Sequence, residues 1–149
     1  MNELPSIRSF LSTYFPVFMG AIFASIFTLV FTLPVFFDSY MPSLSMADNA
    51  KYAFLVGIAL TLIIVHCNFM IARGHPQWTW PVVVLLGVCF LSVLPTLNDQ
   101  PNALMYALSL LFPLLGLLLF NSKRHREMRN KLLEIRNLRQ AAIAAHKKR

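Results

Sequence analysis

Four stretches of this chain hold no Asp, Glu, Lys or Arg: Phe15–Phe37, Tyr52–Ala72, Trp80–Leu97 and Ala103–Phe120, together 80 of its 149 residues. In hydrocarbon every backbone N–H and C=O must be satisfied within its own segment, so each stretch is expected to be a membrane-spanning helix. The two shorter stretches, 18 residues each, rise about 27 Å as helix, close to the roughly 30 Å hydrocarbon thickness. They therefore stand nearly upright, recruit their flanks or thin the bilayer. Composition agrees. Hydrophobic residues make up 57% of the chain and charged residues 13%, against roughly 25% charged in soluble proteins. The expected fold is all-α: a small polytopic integral membrane protein with four transmembrane helices and a basic amphipathic cytoplasmic C-terminal helix.

Charge sets the expected orientation. The stretch from Lys123 to Arg149 carries ten basic residues against Glu127 and Glu134, while the whole chain has 13 basic and 6 acidic residues. Arg8 precedes the first span, Arg73 follows the second, and Lys51 alone lies in the connections on the other side, with Asp38, Asp48 and Asp99. The positive-inside asymmetry places both termini in the cytoplasm, with the bacterial inner membrane the expected location. Residues 1–121 form the transmembrane domain with its short N-terminal segment, and residues 122–149 a basic extension.

Along the chain, Ile7, Phe10 and Leu11 suggest an interfacial segment. The first apolar run is long and aromatic, without an Ala-x-Ala site, so it reads as a retained span. Pro34 is expected to bend or end that span, and Asp48 to cap the next helix. Arg73-Gly74-His75-Pro76 predicts a turn: Gly74 tolerates positive φ, and Pro76 disfavours helix at His75. Trp78 and Trp80 suit the headgroup interface. Pro95 to Asn102 makes a hairpin of the last two spans.

Small and mildly polar residues mark the expected inner faces. Ala21, Ser25, Thr28 and Thr32 share one helical face, as do Ala53, Gly57 and Thr61, with Asn68 a heptad further on; such residues permit close helix contact in lipid. Ser109, Pro113 and Gly116 share a third face, with a kink expected at Pro113. The same polar set would serve a transport route through Ser25, Thr28, Thr61, His66, Asn68, Ser109 and Pro113. No intramembrane carboxylate or lysine accompanies His66, which argues against proton coupling. Cys67 and Cys89 are isolated. Neither a metal site nor a catalytic constellation emerges, and no cofactor is expected.

In the tail, Met128, Leu132, Ile135 and Leu138 follow helical spacing and form an apolar face for a partner. Lys123, Arg124, Arg126, Arg129, Lys131, Arg136 and Arg139 surround it and suit anionic lipid or an acidic partner surface. Direct continuation from the fourth span is expected to pre-order this helix. No nucleic-acid motif accompanies the charge. These features point to a non-enzymatic membrane interaction protein, an accessory subunit or regulator of another membrane component that binds a membrane partner or itself. Toxin immunity or defence is one such role. A small transporter or oligomeric channel is the alternative, and lipid handling a further one.

Overall fold

The computed structural model describes residues 7–98 and 102–147, with side chains described for 12–96 and 102–147. Asp99, Lys148, Arg149 and the side chains of Ile7, Arg8, Phe10 and Leu11 lie outside them. The described chain is helical nearly throughout: α1 (Ile7–Tyr40), α2 (Met46–Ala72), α3 (Thr79–Val93), α4 (Ala103–Asn121) and α5 (Lys123–Lys147). Short 3₁₀ turns at Pro76–Trp78 and Leu94–Asn98 flank α3. Four apolar segments are long enough to cross a membrane, the third made of α3 with its flanking turns, whereas α5 is not such a segment. The protein is a multi-pass integral membrane protein. The start of α1, the α2–α3 turn and the α4–α5 junction share one side, termed the α5 side; the α1–α2 and α3–α4 connections lie on the far side.

Helix α1 is the central post. Half of its apolar stretch is buried within the bundle, against 22–33% for the other three spans, and it packs most extensively on α4 and then α2. Its Ala21, Ser25, Thr28 and Thr32 are fully or almost fully buried. Small side chains let neighbouring backbones approach, which matters in lipid because apolar packing between spans displaces only other hydrocarbon. At 34 residues, α1 is about 51 Å long, well over the roughly 30 Å hydrocarbon thickness. On the far side the Tyr40 hydroxyl donates to the Ser92 carbonyl at 3.0 Å. On the α5 side Lys131 Nζ lies 5.1 Å from the centre of the Tyr14 ring.

The remaining spans close around this post. Phe112 of α4 stacks on Phe31 and Phe27 of α1, with ring centroids 5.1 and 5.2 Å apart. Ser109, Pro113, Gly116 and Phe120 form the buried face of α4. A Cβ at Gly116 would lie 2.9 Å from Leu86 Cδ1 of α3, so hydrogen at that position sets how closely α3 and α4 approach. Tyr14, Ala21, Cys67, Ile71, Val82, Leu86, Phe120 and Met128 make a core cluster near the α5 side, with side chains from all five helices.

Three local expectations are corrected. Asp48 is not the cap of α2. Ser45 is, in extended backbone, accepting from the Asp48 amide at 3.1 Å and donating to Asp48 Oδ2 at 2.7 Å. Asp48 sits inside the first turn, where a carboxylate still favours the positive helix end. Pro34 does not end α1, which continues to Tyr40. One missing amide bond is outweighed by burial of Val35 and Phe37 and by the Tyr40 bond to α3. Nor does α4 run on into α5. Ser122 is extended (ψ 148°), its hydroxyl donates to the Leu119 carbonyl at 2.8 Å, and it accepts from the His125 amide at 3.2 Å. A serine that ends one helix and caps the next lets α5 turn back onto the bundle.

Gly74 holds that turned-back helix in place. Its φ is +83°, and a Cβ would lie 2.8 Å from the Leu132 carbonyl oxygen and 3.0 Å from Arg136 Cβ. Arg136 Nη1 in turn lies 3.4 Å from the Gly74 carbonyl and 3.3 Å from His75 Nδ1. Gly74→Ala is expected to cost about 1–2 kcal/mol in backbone strain and to push α5 off the turn. Limited trypsin digestion in detergent should then cut α5 faster than in wild type, while α1–α4 stay intact; equal digestion would contradict this packing.

Candidate membrane-boundary site

The turned-back α5 creates a polar and apolar junction at one end of the bundle. Pro76 opens the 3₁₀ turn before α3, placing Gln77, Thr79 and Trp80 at the boundary. The end of α4 supplies Leu117, Phe120 and Asn121, and the first half of α5 supplies Arg129 and Asn130. With Val83, these residues line a cavity of about 610 Å³. Its lining combines apolar side chains with hydrogen-bonding groups, and among the described residues it contains no carboxylate. Thr79 is 5% exposed and its hydroxyl has no hydrogen-bond partner. Arg126 donates to Asn121 Oδ1 at 2.9 Å and to the Asn121 carbonyl at 3.2 Å. That occupies the amide oxygen of Asn121 and leaves its NH₂ as a donor. Burial, and secondarily the nearby Arg126 charge, push the Arg129 guanidinium pKa down. This is the sign expected of a cation that has lost water without gaining an anion.

Beside this cavity, His125 is fully buried between Phe18 and Phe120, with ring centroids 6.4 and 5.0 Å away. Neither imidazole nitrogen has a partner. Burial, and then the Arg129 charge, push its pKa down to about 4. The ring is a neutral aromatic plug at pH 7. The sequence places His125 in a polar tail and shows no sign of this role, because the burial is made by Phe18, more than a hundred residues away.

The expected partner face divides. Met128 is 4% exposed and belongs to the core, and Leu132 packs partly against it. Both are committed within the chain. Ile135 and Leu138 remain exposed and are joined by Ile143. Among the expected cations, Lys123, Arg124, Arg126 and Arg139 are exposed, whereas Arg129, Lys131 and Arg136 are partly covered.

Of the residues of the expected transport route, Thr61 lines a groove between α1 and α2, and none lines the boundary cavity. Ser25, Thr28 and Ser109 are fully buried and donate to carbonyls of their own helices at 2.7–2.8 Å. Asn68 donates to the Ile64 carbonyl at 2.8 Å. Pro113 lies on the buried face of α4. His66 is exposed, edge-on to the Trp78 ring at 5.3 Å. Thr61 instead lines a separate groove of about 610 Å³ between α1 and α2, with Ala53, Gly57, Asp38 and Asn49. There Asn49 donates to Asp38 at 3.3 Å and its own buried carbonyl oxygen has no partner. Cys67 and Cys89 are free thiols, and among the described residues no group of three His, Cys, Asp or Glu side chains could hold a metal. No protein-family model, curated protein or solved structure matches this chain.

The His125 plug predicts a pH dependence. Its folded pKa lies below the unfolded value near 6.5, so the unfolded chain binds the proton first. Its stabilising contribution is complete above that value and is lost as pH falls from 6.5 towards about 4. In detergent, the thermal midpoint should fall across this window, and His125→Leu should flatten the slope. An unchanged slope in the variant would show that other groups carry the effect.

Proposed function

We propose that this is a non-enzymatic membrane interaction protein, an accessory subunit or regulator of another membrane component, with both termini in the cytoplasm. The carrying observation is the division of α5. Its first half is fastened to the bundle through His125, Met128 and Leu132, while Ile135, Leu138 and Ile143 are 40%, 53% and 63% exposed. These apolar side chains lie on a helix that is not a membrane-span candidate. Burying them against a partner is favourable by roughly 25 cal/mol per Å² of apolar surface, and the docked first half presents them at low ordering cost.

The basic residues around the stripe support the cytoplasmic assignment, since lysine and arginine near span ends favour that side. The α1–α2 groove supports the same reading inside the membrane. Its small Ala50, Ala53 and Gly57 residues are of the kind that lets a further helix approach closely. A toxin-immunity or defence role would use the same surfaces. Transport has less support, because the Ser25, Thr28 and Ser109 hydroxyls donate to carbonyls of their own helices and none of the three lines either cavity.

The test is native mass spectrometry of gently extracted wild type and the I135A/L138A/I143A variant. A stoichiometric heteromer is expected for wild type. The variant should weaken it about tenfold, corresponding to roughly 1.4 kcal/mol, while inserting normally. A heteromer that survives unchanged, or a purely homo-oligomeric wild type, would reject this role for the stripe.

A further inference from the structure

We infer that the cavity between α3, α4 and α5 is a binding site for one anionic phospholipid of the leaflet on the α5 side, its phosphate held by Arg129, Thr79 and Asn121. Three independent features define the ligand. First, the polar groups are set to donate: among the described residues the Thr79 hydroxyl is buried without a partner, the Asn121 amide oxygen is already taken by Arg126, and Arg129 makes no ion pair. A buried hydroxyl left unpaired is costly, and a phosphate oxygen would satisfy it. Second, no acidic side chain among the described residues lines the cavity, so a zwitterionic lipid's ammonium group finds no counter-charge there while a phosphate meets a guanidinium. Arginine's planar fork suits phosphate oxygens in particular.

Third, the cavity is amphipathic in the direction a lipid requires. Arg129 belongs to α5, beyond the fourth span, whereas Val83, Leu117 and Phe120 lie within the spans. Trp80, 71% exposed, stands at the rim, where an indole prefers the headgroup zone. A headgroup at Arg129 can therefore lay the first part of an acyl chain along Val83 and Leu117. A free phosphate ion would use the same donors but leave Val83, Leu117 and Phe120 uncovered. The expected lipid has a single phosphodiester with an uncharged head alcohol, as in phosphatidylglycerol.

Because α3, α4 and α5 all line the cavity, such a lipid would also brace the turned-back α5 against the spans. The site uses none of Ile135, Leu138 or Ile143, so lipid binding and partner capture can fail separately.

The test titrates the full-length protein in a neutral detergent with phosphatidylglycerol, phosphatidylcholine or inorganic phosphate, and counts adducts by native mass spectrometry. One phosphatidylglycerol per chain should bind ahead of any others and resist displacement by inorganic phosphate. Arg129→Gln should weaken this first adduct by about tenfold or more. Thr79→Val, nearly equal in volume, should weaken it by about threefold to tenfold. Arg139→Gln, on the exposed end of α5, should change it by less than about twofold.

Equal losses for Arg129→Gln and Arg139→Gln would overturn the site in favour of diffuse attraction. Equally tight phosphatidylcholine would overturn the charge argument, and displacement by inorganic phosphate would assign the donors to a soluble anion. If Arg129→Gln does not give a monodisperse protein, Thr79→Val decides: an unchanged first adduct rejects the site.

Discussion

The bundle depends on the buried stripe of α1, where Ala21, Ser25, Thr28 and Thr32 set short side chains into a helix rich in phenylalanine. In a bilayer the hydrophobic effect inserts the spans but gives them little reason to associate with one another. Close packing has to do that, and it requires side chains short enough for neighbouring helices to meet. Ser25 and Thr28 also return their hydroxyl protons to carbonyls one turn earlier. The stripe is therefore polar by composition but largely self-contained in its hydrogen bonding. Thr32 is the exception, its buried hydroxyl having no partner among the described residues.

A second constraint acts at the α5 side, where the chain leaves the fourth span. Ser122 ends α4 and starts α5 within one residue, and Gly74 offers a surface without a Cβ exactly where the Leu132 backbone passes. "Direction" and "clearance" are thus supplied by different parts of the chain. Once α5 lies across the α2–α3 turn, Met128 closes the core and His125 is sealed between two phenylalanines. Arg129, the next polar residue on that half, is drawn partly out of water beside a cavity with no acid. Docking of the first half of α5 consequently both plugs the bundle and arranges a donor-rich pocket at the boundary.

The two halves of α5 illustrate how one amphipathic pattern can serve two purposes. Met128 and Leu132 belong to the same periodic face as Ile135 and Leu138, yet only the first pair reaches the bundle. The second pair stays exposed, although Arg136 between them still touches the α2–α3 turn. A continuous apolar stripe therefore changes from internal packing to open surface partway along one helix. The change is set by where the bundle meets the helix rather than by any difference in residue type.

Much of the architecture was legible from the residues. Uncharged runs announced four spans, Gly74-His75-Pro76 announced the turn, and the spacing of Ala21, Ser25, Thr28, Thr32, Ser109, Pro113 and Gly116 marked faces that are buried. These features are local: they follow from hydropathy, from backbone freedom and from helical period. The boundary site was not legible in the same way. His125 reads as a tail residue until Phe18 and Phe120 enclose it, Thr79 reads as an ordinary start of a helix, and Arg129 reads as one cation among many. The sequence alone determined that the chain crosses a membrane four times and carries a basic amphipathic helix, because desolvating charge and backbone is prohibitive whatever the partners. Only the tertiary structure decided which half of that helix is spent on the bundle and which donors meet at its edge, because those depend on distances between segments far apart in the chain.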